Sequence, residues 1–207
     1  MGLFDSFASQ AGNMIKNEAR KTGSEFVHNA SSAVQNGLAN AGNKSEQFTF
    51  PNLPTDVASL MALPEATLDS PFKTAALTLV ALLQYENNPE TCFAMIDALR
   101  GPDPMTAMGR SFIKDRMEGK AYKARSFFAG ATVANNYTPT APYTITVSSN
   151  PYSYPDPNWA TLFVQSAGAD SLRQIKMRLK PSTGQWFLND IQCLSDIRTP
   201  AADDPWA

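Results

Sequence analysis

The chain has 207 residues, with 17 Lys and Arg against 19 Asp and Glu, giving a formal charge of -2. That length suits one well-cored domain plus an appendage, and the near-neutral balance, with scattered basic residues, offers no field for nucleic acid, which is not expected as a partner. Two cysteines make no disulfide framework, and neither they nor the single histidine, His28, stand at zinc-ligand spacing, so no metal or cofactor is expected.

Residues 1-40 predict an amphipathic helix. Phe4, Phe7, Ala8, Ala11, Met14, Ile15, Ala19, Phe26, Val27 and Ala30 recur with a mean step of about 3.7 residues, close to an eleven-residue repeat that aligns Phe4, Ile15 and Phe26. Much of the stripe is built of small residues, and Gly12, Gly23 and Gly37 each cost about 1 kcal/mol relative to Ala in a helix interior. Such a helix needs a surface to lean on. Lys16, Arg20 and Lys21 are balanced by Asp5, Glu18 and Glu25, so charge does not direct it to lipid, while its small residues suit close packing against another copy. Leu3, Phe4, Phe7, Ala11, Met14, Ile15, Phe26 and Val27 therefore form the expected assembly or membrane face, with a homo-oligomer as the leading outcome and a membrane surface as the second. Met1 to Ser6 also fits the loose pattern for N-terminal myristoylation.

Asp5 interrupts the opening apolar residues, so no secretory signal is expected. The longest apolar stretch, residues 75-83, falls far short of the roughly 20 residues that span a bilayer. A cytoplasmic protein is expected, peripheral to the inner face of the membrane where lipid is the partner. Residues 41-53, rich in Asn and Gly and then carrying Pro51, read as a linker.

Residues 54-200 are expected to form an α+β domain: a helical layer packed on a C-terminal antiparallel β-meander. Asp69 or Ser70 caps a central helix from Pro71, broad in its apolar face over Phe72, Ala75, Ala76, Leu79, Val80, Leu82 and Leu83. Asn88-Pro89 opens a second helix with Phe93, Ile96 and Leu99 inward and Gly101 as its stop. Asp103-Pro104 opens a third, with Met105, Met108, Phe112, Ile113 and Met117 inward and Gly119 as its stop. Beyond residue 140 the apolar period changes to 2. Tyr143, Ile145 and Val147 form one strand, residues 160-165 a second, and Ile175, Met177 and Leu179 a third. Pro181 to Gly184 then turns the chain into residues 185-191, leaving Lys and Arg on the outer face. The tail, residues 201-207, is acidic and expected to be loose.

Segments in the second half carry a resemblance. The runs ARSFFAGATVANNYTPTAPYTITVSSNPYSY, LFVQSAGADSLRQIKMRLKPSTGQWFLNDI and DIRTP resemble an uncharacterised bacterial family of the Firmicutes type, a domain of unknown function, over about residues 53-200. The motifs are NYTP with the following PY, SAGADS, GQWFL and the closing I-R-x-P. Leu172 and Gln174 depart from the family's prolines, and Asn189 from its usual aromatic. The resemblance implies a bacterial, intracellular setting and brings no activity.

No residue is assigned a catalytic role. His28 lies in the amphipathic leader, and Asp97, Asp103, Asp115 and Glu118 fall where capping and solvation explain them. Phosphate-loop and dinucleotide motifs are absent. The Tyr/Pro segment, with Tyr137, Tyr143, Tyr152, Tyr154 and Trp159 among five prolines, is the candidate loop for a protein partner; the competing expectation is that its rings plug the open end of the core. Function is thus expected to be non-enzymatic interaction or assembly. The alternative is a small-molecule binding protein or enzyme with a pocket between sheet and helices.

Overall fold

The computed structural model describes residues 43–206. The predicted helix over residues 1-40, with its eight assembly-face residues, lies outside them, as does His28. The described chain runs through β1 (Ser45–Phe50), α1 (Val57–Met61), a 3-10 turn (Pro64–Thr67), α2 (Pro71–Leu83), α3 (Pro89–Arg100), α4 (Ala107–Met117) and α5 (Tyr122–Arg125). Then come β2 (Tyr143–Ser148), β3 (Trp159–Val164), β4 (Arg173–Lys180) and β5 (Gln185–Ile191), with a closing 3-10 turn at Ala201–Asp203. The five strands are antiparallel and lie side by side in chain order, with α1 to α5 inserted between β1 and β2.

The α+β class and the four-strand meander follow the expected pattern, with a fifth strand added before the helices. β1 falls within the stretch expected to be a linker, and it pairs along its whole length with β2, from Ser45 opposite Ser148 to Phe50 opposite Tyr143. The reason is alternation: Phe48 and Phe50 point into the core and are buried, while Ser45, Gln47 and Thr49 are exposed. Two buried positions are too few to register as a period in sequence, and the partner strand lies far along the chain.

Helix α2 is the centre of the domain and packs against every strand of the sheet. Ser70 caps it, its hydroxyl accepting from Phe72 N at 3.3 Å, and Pro71 occupies the first turn, where its missing N–H costs nothing. From Pro71 to Leu82 every side chain but Lys73 is buried. Two threonines survive there because their hydroxyls are bonded. Thr78 donates to Thr74 O at 2.8 Å, and Thr74 donates to Trp186 O at 2.6 Å, which stitches the helix to the edge strand β5. The Trp186 N–H donates to Leu68 O at 2.7 Å, so this part of the β5 edge is covered.

Helix α3 starts as expected at Asn88, whose side-chain oxygen accepts from Glu90 N and Thr91 N. It stops at Gly101, where φ is +62° and a Cβ would fall 2.3 Å from a ring carbon of Phe187. The next helix departs from expectation. α4 begins at Ala107 under a Thr106 cap, with that hydroxyl accepting from Gly109 N at 3.2 Å. Asp103 lies outside it, its carbonyl accepting from Arg100 Nε at 2.8 Å. Of the five residues expected inward, only Ile113 and Met117 are buried; Met105 is half-buried, Phe112 is exposed, and Met108 is 82% exposed. Helix α4 lies on the flank of the domain, so one turn-spaced stripe meets the core while the neighbouring one lines an open groove against β5. Asp97 holds the α3–α4 connection by accepting from Met105 N at 2.8 Å and pairing with Arg110, whose guanidinium lies over Phe93.

Cys92 and Cys193 are free and fully buried, and burial pushes both thiols up to about 12 from an ordinary value of 9.0. The unfolded chain ionises near pH 9 while the folded one holds its protons, so these groups make stability fall as pH rises from about 9 towards 12. A thiol-reactive chromogenic reagent at pH 8 is expected to label neither cysteine in the native protein and both in denaturant. Prompt native labelling would contradict the burial.

Candidate functional site

The Tyr/Pro segment does not form one surface. Tyr137 is fully buried, and Tyr143 and Tyr154 are half-buried, each set edge-on to a core ring, Phe128 at 6.1 Å and Trp186 at 6.5 Å. Trp159 lies at the start of β3 on the sheet's outer side, beneath the Arg178 guanidinium at 5.2 Å. Only Tyr152, 85% exposed, stands free in water. As a set these residues serve mainly as plugs and bracing.

Tyr137 has the most connected position. Asn135 closes the loop before it, its side-chain oxygen accepting from Thr132 N and Thr138 N while its amide donates to Gly130 O and Thr138 O. That Asx cage sets the turn in which Asn136 and Tyr137 both adopt positive φ, near +54° and +55°. The phenol then reaches across the domain and donates to Arg198 O at 2.9 Å. Arg198 N in turn donates to Gly168 O at 2.9 Å, and Gly168 N donates to the Ser166 hydroxyl at 3.1 Å. Ser166 shares a buried 2.7 Å hydroxyl contact with Ser126. Gly168 is there for room: a Cβ on it would sit 2.1 Å from the Tyr137 hydroxyl and 2.8 Å from Ile197. The NYTP, SAGADS and I-R-x-P motifs, separated in sequence, therefore meet at one junction. GQWFL acts elsewhere, as the strand that Thr74 and Leu68 hold.

The same junction ties down the tail, which is less loose than expected. Ala201 N donates to Val133 O at 3.1 Å and Ala202 N to the Asn136 side chain at 3.0 Å, so residues 201-203 form a turn against the domain. Beyond it Trp206 is 93% exposed.

One wall of a cleft of about 840 Å³ is made by this arrangement: Asn136, Pro200, Ala202 and Asp203 face the ends of α2, α3, α4 and α5 across it. Tyr122 stands between the two, its ring stacked on Tyr137 with centroids 5.6 Å apart. Opposite, Tyr85 and Phe93 meet edge-on at 6.0 Å. The charged lining is Glu86, Glu90, Lys114, Glu118, Arg125 and Asp203, with Arg125 taken up by an ion pair to Glu86. Tyr85 is only 7% exposed, and its phenol pKa is raised by burial and then by the Glu118 carboxylate. Its hydroxyl makes no hydrogen bond within the described residues. Four separate segments supply these groups, and no spacing in the sequence announces them.

The space between α2 and the sheet is filled by side chains such as Leu79, Ile145, Leu162 and Met177, each 0–1% exposed. A second groove, of about 550 Å³, runs between α4 and β5 past Met105, Met108 and Phe112. Among the described residues no group of three or more His, Cys, Asp or Glu is placed to hold a metal ion, and no helix is long and apolar enough to cross a membrane.

Fold and junction together define an α+β domain in which a five-stranded antiparallel sheet covers one central helix and a motif-built joint braces its helical end. The chain belongs to the family described as a domain of unknown function, DUF6935, which matches residues 52–201. The matched span begins after β1 and ends in the turn that closes the cleft wall. No curated protein and no solved structure matches the chain.

Proposed function

We propose that this is a non-enzymatic interaction and assembly protein of the bacterial cytoplasm, in which residues 1-40 join copies of the chain and the DUF6935 domain is the body they carry. The observation behind this reading is the stripe through Phe4, Phe7, Met14, Ile15, Phe26 and Val27, whose apolar surface is too narrow and glycine-interrupted to hold a lone helix in water. Burying each large side chain contributes about 1.5–3 kcal/mol before ordering costs, so several together hold a complex and one does not. The inner face of the membrane is the other surface that could cover the stripe. Light scattering of the full chain, with flotation on vesicles, tests the proposal: a mass above one copy, or recovery with the vesicles, is expected. A monomer that ignores vesicles would refute it.

The cleft favours a second reading, a small-molecule or side-chain binding site on the domain itself. Its volume lies within the range of about 300–1,000 Å³ usual for ligand pockets, and it combines aromatic walls with a few charged groups.

A further inference from the structure

We infer that the groove between α4 and β5 receives the apolar stripe of residues 1-40 from another copy of the chain. This rests on the assembly reading above and adds where on the domain the stripe lands.

The groove is apolar and open. Among the described residues six large apolar side chains are exposed, and two of them, Met108 at 82% and Phe112 at 38%, stand one turn apart on α4 and line this groove. The other four come one each from α1, the β2–β3 loop, the approach to β4 and the tail. Single exposed apolar residues need no explanation, but two on one helix face beside a groove mark a contact surface. The charged groups that line it are already engaged. Arg100 donates to Asp103 O and to Asn189 O, and the Asp190 carboxylate accepts from the Gln192 amide at 2.7 Å. Methionine adds a flexible, polarizable wall that moulds to an incoming side chain.

Gly109 points independently to something that approaches from outside. A Cβ added there would meet Thr106 Oγ1 at 3.6 Å and carbons of Met105 at 3.8 and 3.9 Å, which are ordinary contact distances. Nothing within the domain therefore requires glycine in the first turn of α4, although glycine weakens a helix. On the groove side it leaves bare backbone, against which a second helix can pack closely.

Residues 1-40 match this surface in chemistry and length. Their stripe alternates large anchors, Phe4, Phe7, Met14 and Ile15, with Ala8, Ala11 and Ala19, which are small enough to lie on the Gly109 backbone. As a helix, the run from Phe4 to Ile15 spans about 16 Å, the length of the 11-residue α4. An amphipathic helix laid in an apolar groove is a general mode of recognition, read as anchors at helical spacing. The position of the chain's entry favours another copy as the donor. The leader runs into β1, whereas the groove lies against β5, four strand spacings or roughly 19 Å away at the opposite edge of the sheet. Each copy thus carries one stripe and one groove on different parts of its surface, the arrangement that makes a head-to-tail contact and repeats into a ring or a filament.

Photo-crosslinking tests the contact in the full chain. Benzoylphenylalanine is placed at position 108, isotope-labelled and unlabelled chains are mixed and irradiated, and the linked peptides are sequenced by mass spectrometry. Links from position 108 to residues 3-27 of the other isotope are expected. Light scattering reads the strength of association. Met108→Glu with Phe112→Glu, both exposed, should weaken it about a hundredfold or more. Gly109→Ala should weaken it about two- to tenfold while the melting transition stays in place or rises, a combination that a purely internal role for this glycine would not produce. Assembly as strong in these variants as in the parent, or links confined to another copy's domain, would overturn the groove as the seat of the stripe and leave the assembly reading standing. A chain that is monomeric without vesicles and floats equally well in parent and groove variants would assign the stripe to lipid and overturn the inference. A monomer that ignores vesicles, whether it links position 108 to its own residues 3-27 or to nothing, would overturn both.

Discussion

Tyr137→Ala is expected to cost the domain about 3–5 kcal/mol, the range for removing a buried aromatic from a packed core. At about 2–4 °C per kcal/mol for a domain of this size, the loss is easily read in a thermal melt. Its ring stacks on Tyr122, and its hydroxyl ties the loop after α5 to the segment that follows β5. Tyr137→Phe keeps the ring and loses the bond to Arg198 O, a change of about 1 kcal/mol. Gly168→Ala attacks the junction from the other side, forcing a methyl group to 2.1 Å from that hydroxyl, and should cost about 1–3 kcal/mol through overpacking. The two substitutions are coupled. In Tyr137→Phe the oxygen nearest the new methyl is gone, so Gly168→Ala should cost less there than in the parent, although the ring carbon at 2.9 Å still crowds it. Strict additivity in chemical denaturation would mean that the two groups do not meet.

Breaking the stripe should have the largest effect on mass. Phe7→Asp, Ile15→Asp and Phe26→Asp, made together in the full chain, remove three large apolar groups spaced along one face and put charge in their place. At about 1.5–3 kcal/mol each the lost burial amounts to roughly 5–9 kcal/mol. A micromolar complex is held by only about 8 kcal/mol, so association should disappear. The melting transition of the DUF6935 domain should stay where it was. Lys16→Gln with Lys21→Gln serves as the contrast: since the leader's charges balance, assembly should barely change, whereas a vesicle-bound form held by anionic lipid would be lost. A triple variant that still assembles would place the contact outside residues 1-40.

What could be read from sequence was local and covalent in origin. Ser70 before Pro71, Asn88 before Pro89 and Gly101 marked the ends of α2 and α3 because caps depend on one or two neighbouring residues. The alternation in β2 and β4 gave a sheet with one wet face for the same reason. β1 escaped because its proof is pairing with β2, about a hundred residues away, and a six-residue run carries little period of its own. Met108 and Phe112 escaped because a helical stripe says that a face is apolar, never which neighbour covers it. The family motifs were visible as strings; that three of them meet at Tyr137, Gly168 and Arg198 is a property of the fold. The cleft was illegible altogether. Tyr85, Glu118, Tyr122 and Asp203 come from separate segments, and each has an ordinary explanation when taken alone.

The claim on which the assembly proposal depends is that residues 1-40 gain a covering surface from outside themselves. Hydrogen exchange of the full chain, followed by mass spectrometry over a range of protein concentrations and with vesicles added, reads this directly. Slowed exchange in peptides spanning Phe4 to Val27, deepening with concentration or on adding vesicles, is the predicted result. Exchange in that stretch as fast as in a free peptide, at every concentration and with vesicles present, would contradict it.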